Sequence, residues 1–183
     1  VFKAVVLAAA LEEGLVKESD RFFCSGSVQV ATETIHCSRR QGHLDQDLTK
    51  AVGNSCNPAF MEIGQRLGRD KFYQYFEAFG LMENTGIDLP GEASLKNAIW
   101  PKEKMGPVEL ATASFGQRFE ITPLQMICAF SAVINGGNLV KPYVVQTVTA
   151  QDGTVIQNTQ TEVVRQVVSQ QTSQRAANIL EKV

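Results

Sequence analysis

Asn54-Ser55-Cys56-Asn57-Pro58-Ala59-Phe60 is the stretch on which the reading of the fold turns. Helical spacing runs from Leu44 to Val52, stops at Gly53, Ser55, Asn57 and Pro58, and resumes from Ala59 to Leu67. Pro58 suits the first turn of the second helix, where a missing N–H costs no intrahelical bond. A hydroxyl and a carboxamide thus stand two positions apart between two helices. In a locally extended turn, residues i and i+2 face the same side, so Ser55 and Asn57 are expected to share a cleft and Cys56 to point away from it. Taken alone, Ser-x-Asn is also an ordinary helix-cap composition.

Upstream of this turn, residues 1–13 are rich in Ala, Leu and Val, which predicts a helix buried on most faces. Lys3 is a long cation in that apolar run; snorkelling explains it unless its head finds a partner. The chain opens on Val1 without a capping residue and stops at Val183 inside a helical run, so the reading expects natural sequence on both sides. Residues 18–42 show no sustained period and read as a long ordered loop with short extended pieces.

Downstream, Phe72, Tyr73, Phe76 and Phe79 recur at helical spacing, with Gly80 as the stop. Gly86, Pro90, Gly91 and Pro101 mark an irregular connection from Thr85 to Lys104. Two more helices are expected at Val108–Ser114 and Pro123–Ile134, the second opened by Thr122 and closed by Asn135, Gly136 and Gly137. Tyr143–Thr149 and Thr154–Asn158 flank a Gln151-Asp152-Gly153 turn and read as a hairpin; a last helix starts near Thr172. The expected fold is mainly α with one β-hairpin. Helices and site motifs fill 1–137, the hairpin lies within 138–160, and 161–183 form a connecting segment and terminal helix.

A hydrophobic share of 44% and a charged share of 20% over 183 residues fit one domain with a sizeable core. Seventeen Lys plus Arg against nineteen Asp plus Glu leave a net charge of −2 with no basic run, which argues against nucleic acid as a partner. The longest purely apolar stretch, Ala4–Leu11, is far short of the roughly 20 residues of a bilayer span. Cys24, Cys37, Cys56 and Cys128 are widely spaced, with His36 and His43 the only histidines, so the linear spacing predicts no metal site and no cofactor.

The motifs acquire meaning together, because the chain resembles the class B penicillin-binding proteins. Val1-Phe2-Lys3 match the last three positions of that family's Ser-x-x-Lys motif, and Ser55-Cys56-Asn57 match its Ser-x-Asn motif. Further similarity runs through TGIDLPGE at 85–92, GPVELATASFGQ at 106–117, ITPLQM at 121–126 and INGG at 134–137. NSCNPAF and the Cys24 and Cys37 pair look closest to sporulation-type members. Arg118 departs from the family, which often has a small residue after Phe-Gly-Gln.

The resemblance implies serine acyl transfer on peptidoglycan stem peptides, with β-lactams as acylating mimics. Lys3 would be the base that activates the serine, Ser55 would relay the proton, and Asn57 would bind the substrate amide and hold Lys3. The serine would precede Val1, and the Lys-Thr-Gly motif, found nowhere in this sequence, would follow Val183. The resemblance therefore implies a helical subdomain of the serine β-lactamase/transpeptidase-like fold lacking most of the parent sheet, inactive by itself. It also implies a parent anchored at the extracytoplasmic face of the bacterial cytoplasmic membrane, beside a membrane glycosyltransferase. In that compartment a disulfide is permitted; Cys37–Cys56 is preferred over Cys24–Cys37, against free thiols as the alternative. The competing functional reading is a non-catalytic binding or scaffold module in which Ser55 and Asn57 only cap a helix.

Overall fold

The structure, a computed structural model, describes residues 1–93 and 99–183; part of the expected connection at 85–104 lies outside them. Helix α1 (Lys3–Glu12) forms the centre. Every residue from Ala4 to Leu11 is buried, because a helix apolar on all sides can settle only where neighbours surround it. Those neighbours are α3 (Asn57–Ala78), α5 (Pro123–Ile134) and α6 (Gln170–Leu180). The expectation for residues 1–13 therefore holds.

Helix α3 is two helical pieces joined at Gly68, whose φ of +75° and ψ of +161° interrupt the ladder. Its second piece carries Phe72 and Phe76 into a cluster with Phe2 and Phe119, ring centroids 4.5 to 6.2 Å apart. Gly80 ends it with φ +74°. A short helix α4 (Pro107–Ala113) and α5 both start with a proline in the first turn. Thr122 and Gln125 cap α5 reciprocally, the Thr122 hydroxyl accepting from the Gln125 amide at 3.1 Å and the Gln125 side chain accepting from the Thr122 amide at 2.8 Å.

The mainly α expectation is corrected by four antiparallel two-stranded sheets among the described residues. Strand β1 (Arg21–Cys24) pairs with β4 (Leu44–Asp47), and the hairpin of β2 (Ser27–Val30) and β3 (Glu33–His36) is nested between them. The same nesting recurs near the C-terminus. Strand β5 (Asn138–Val140) pairs with β8 (Val163–Gln166) and encloses β6 (Thr147–Thr149) and β7 (Val155–Asn158). Only β6–β7 was anticipated. The other ribbons have three- or four-residue strands; β3, β4 and β8 are largely exposed, and the alternation in β1 covers only four residues, too short a run to stand out from a loop. Leu44–Asp47 is strand rather than helix, and Asp47 caps α2 (Leu48–Gly53) by accepting from the Lys50 amide. The chain is α+β.

Candidate active site

The turn between α2 and α3 is a Schellman motif with an unusual occupant. The amide of Ser55 donates to the Val52 carbonyl at 2.9 Å and that of Cys56 to the Ala51 carbonyl at 3.0 Å. Ser55 holds the left-handed position at φ +48°, where glycine is the usual residue. A side chain forced into that conformation costs free energy, and such strain is found where geometry serves chemistry. Here it aims the Ser55 hydroxyl at the start of α1.

Lys3, in the first turn of α1, reaches the site from the other side. Its amine donates to Ser55 Oγ at 2.8 Å, to the Ser55 carbonyl at 2.9 Å and to Asn57 Oδ1 at 2.9 Å. The three residues the sequence singled out meet at one nitrogen, across 52 and 54 residues of chain. Asn57 is held in turn by its Nδ2, which donates to the His36 carbonyl at 3.3 Å. The rings of Phe60 and Phe115 flank the Lys3 amine, their centroids 5.7 and 5.9 Å away. Periodicity did not mark Phe115 as a site residue, although it lies in the SFGQ segment.

Burial pushes Lys3 below its ordinary value of 10.5, against the opposing influence of Cys37 and Cys56, whose charge would raise it. A lysine so placed can accept a proton at a pH where an exposed one cannot. Behind the turn, burial pushes the Cys56 thiol up to about 12. Cys37 goes the other way: burial opposes ionisation, but donors from the Arg39 and Asn57 amides and neighbouring side chains outweigh it. All four cysteines are free, so the expected Cys37–Cys56 bond is not formed in this structure. Folding does bring Cys24, Cys37, Cys56 and His43 into one group, a constellation that linear spacing hides.

The remaining motifs brace the site's surroundings. Glu92 accepts from the amides of Thr85 and Gly86, and Asp88 from those of Val144 and Val145. Glu109 caps α4 through the Gly106 amide and pairs with Arg118 at 3.1 Å. Arg118 sits at φ +65°, a conformation a small residue such as glycine adopts more readily.

Comparison with known proteins identifies the family. The penicillin binding protein transpeptidase domain matches residues 1–183. The chain is 40% identical over 187 residues to Stage V sporulation protein D of Bacillus subtilis, covering all of this chain and 28% of that protein. It is 30% identical to penicillin-binding protein PbpB of Mycobacterium tuberculosis, again over all of this chain and 26% of the relative. The chain thus spans under a third of the length of these curated relatives. A crystal structure of penicillin binding protein 3 from Mycobacterium tuberculosis complexed with aztreonam superposes with a TM-score of 0.87 at 29% identity, over 97% of this chain and 39% of that one. Matched from end to end, the chain belongs to the penicillin-binding protein transpeptidase domain family.

Proposed function

We propose that these residues form the base-and-relay half of a serine D,D-transpeptidase site that cross-links peptidoglycan stem peptides. The observation that carries the reading is the shared contact of Lys3 Nζ with Ser55 Oγ and Asn57 Oδ1. In the family's Ser-x-x-Lys pattern the nucleophile falls three positions before Lys3. One helical turn separates such residues, so both face the same side.

In its neutral form, which burial favours, Lys3 takes the serine proton as the serine oxygen bonds to the penultimate D-Ala carbonyl carbon. The peptide C–N bond then breaks, and the proton passes through Ser55 to the departing D-Ala amine. An acceptor amine from a second strand attacks the ester, gives its proton to the same base and releases the serine. Asn57 orients the substrate amide and fixes Lys3. A β-lactam follows the first step, but its ring amide opens without a leaving group departing, so the ester persists. The same reading places the Lys-Thr-Gly strand and the membrane anchor outside these residues, and the working site on the extracytoplasmic face beside a membrane glycosyltransferase.

The test is fluorescent-penicillin labelling of protein that includes the residue preceding Val1 and the segment beyond Val183. Labelling is expected there and not in residues 1–183 alone. Lys3→Ala should slow it by about 10²–10⁴-fold. Undiminished labelling of Lys3→Ala, or stable labelling of residues 1–183, would overturn the assignment.

A further inference from the structure

Three buried thiols and an imidazole meet directly behind the Ser55–Asn57 turn. The ligand atoms of Cys24, Cys37, His43 and Cys56 all lie within 4.8 Å of one another. A tetrahedral zinc ion, with Zn–S about 2.3 Å and Zn–N about 2.0 Å, keeps sulfur and nitrogen about 3.5 Å apart and two sulfurs about 3.8 Å apart. Cys37 Sγ and His43 Nδ1 already stand 3.6 Å apart. From within 4.8 Å, every other pair reaches its tetrahedral separation by drawing in no more than about 1.3 Å.

The four ligands come from four places in the chain: the end of β1, the residue after β3, the loop before β4, and the N-cap of α3. Glycine makes their meeting possible. A Cβ on Gly42 would lie 2.1 Å from the Cys24 carbonyl oxygen, and one on Gly26 would lie 2.0 Å from that of Arg40. Both residues also have positive φ, +79° and +100°. Only glycine at these two points lets the 39–43 loop close on the β1–β2 connection and carry His43 to the thiols.

A second observation is a buried polar group without a partner beside the cluster. Gln46 is 1% exposed, and its Nε2 has no hydrogen-bond partner although Oε1 accepts from Asn54. An unpaired buried donor is costly, and Gln46 lies beside Cys56. A metal-bound sulfur there would give that amide an acceptor. The main-chain amides of Arg39 and Asn57 likewise lie near the Cys37 sulfur, where outer donors that orient a metal ligand would stand. Three soft sulfurs and one imidazole in one close group suit Zn²⁺, and four protein ligands leave no open position for catalysis.

We infer that Cys24, Cys37, His43 and Cys56 form a structural zinc site that pins the β1–β4 and β2–β3 ribbons to the start of α3, and so holds the Ser55–Asn57 turn. The link is short. Cys56 lies between Ser55 and Asn57, and the Asn57 carboxamide bonds the carbonyl of His36, next to Cys37. Binding is independent of the acyl-transfer reading, since it needs neither nucleophile nor substrate.

The experiment uses tag-free protein, reduced, stripped with chelator and titrated with zinc chloride. One zinc per chain by elemental mass spectrometry is expected. Cobalt chloride should give tetrahedral d–d bands and thiolate-to-cobalt charge transfer that zinc abolishes; this readout needs no mutation. Cys37→Ser and His43→Ala should each weaken binding by at least about 10–100-fold, the range for lost supporting groups. Cys128→Ser, outside the group, should leave it unchanged. His43 is only half-buried, so His43→Ala is expected to fold and keeps the test open even if a buried cysteine replacement unfolds the protein. Zinc should slow hydrogen exchange over residues 54–60. The inference is overturned if reduced protein binds no zinc, including protein recovered from a Cys37–Cys56 disulfide, or if binding survives both ligand variants. Unchanged exchange at 54–60 would overturn the pinning.

Discussion

Ser169 donates both its main-chain amide and its hydroxyl to Glu12 Oε2, at 3.0 and 2.8 Å, across 157 residues. The same hydroxyl accepts from the Thr172 amide at 3.1 Å and caps α6. One carboxylate at the end of α1 therefore fixes where α6 begins.

Burial works against the Glu12 charge, but hydrogen bonds from Thr172 and Ser169 outweigh it and hold the carboxyl below its ordinary value of 4.5. A depressed folded-state value means stabilisation that is present above the unfolded value and lost as pH falls through the folded one. Glu12→Gln should cost about 1–2 kcal/mol at neutral pH, the scale of hydrogen bonds to a charged group. Urea unfolding at pH 7 and at pH 3 measures this, and the cost should shrink at the lower pH. A cost that does not change with pH would remove the account.

The position of Lys3 predicts a pH profile. Because burial lowers its value from 10.5, penicillin acylation of the nucleophile-bearing protein should rise with pH and level off below the range of an exposed lysine. Lys3→Arg keeps a cation but no accessible base. Its acylation rate should fall by about 10²–10⁴-fold, and an Arg variant near wild-type rate would show that Lys3 acts only as a charge.

Ser55→Gly should separate stability from chemistry. Glycine suits φ +48° and relieves strain by about 0.5–1 kcal/mol, offsetting the lost contact with Lys3. The thermal midpoint is expected not to fall, while acylation drops. A large loss of stability would mean that the hydroxyl, rather than the left-handed turn, holds this junction together.

Gly64 and Ser114 offer a packing test. A Cβ on Gly64 would lie 1.7 Å from Ser114 Oγ, and Ser114 is fully buried with its hydroxyl donating to the Leu110 carbonyl at 2.7 Å. Gly64→Ala should destabilise by about 1–3 kcal/mol through overpacking of α3 on α4. Combined with Ser114→Gly it should cost less than the sum of the two single changes. Strict additivity in denaturant unfolding would contradict the contact.

What was legible in the sequence was local. α1 announced itself by being apolar all round, α5 by Thr122, Pro123 and the closing Asn135-Gly136, and the aromatic helix by Phe72, Phe76 and Phe79. Lys3, Ser55 and Asn57 were found through motif resemblance, and the fold then joined them. What stayed hidden depends on distant pairing. Nothing near Asn138 signals its partner Gln166, and Cys24↔Leu44 is a ladder pair closed around another hairpin. Leu44 and Leu48 stand four apart, which imitates a helix, whereas Asp47 between them is the cap that starts α2. The thiol group escaped for the same reason, since His43 joins Cys24, Cys37 and Cys56 only after those ribbons form.

The left-handed turn at Ser55 also bears on how such a domain could lose its activity over evolutionary time. A serine codon of the AGC or AGT type becomes a glycine codon by one base change. At this site the new residue fits the backbone better than the old. Selection for folding alone therefore gives no protection to the hydroxyl; on the proposed function, selection for turnover is what keeps it. The residue at position 55 would then record, across a lineage, whether acyl transfer was still required, legible even where every helix and ribbon has been retained.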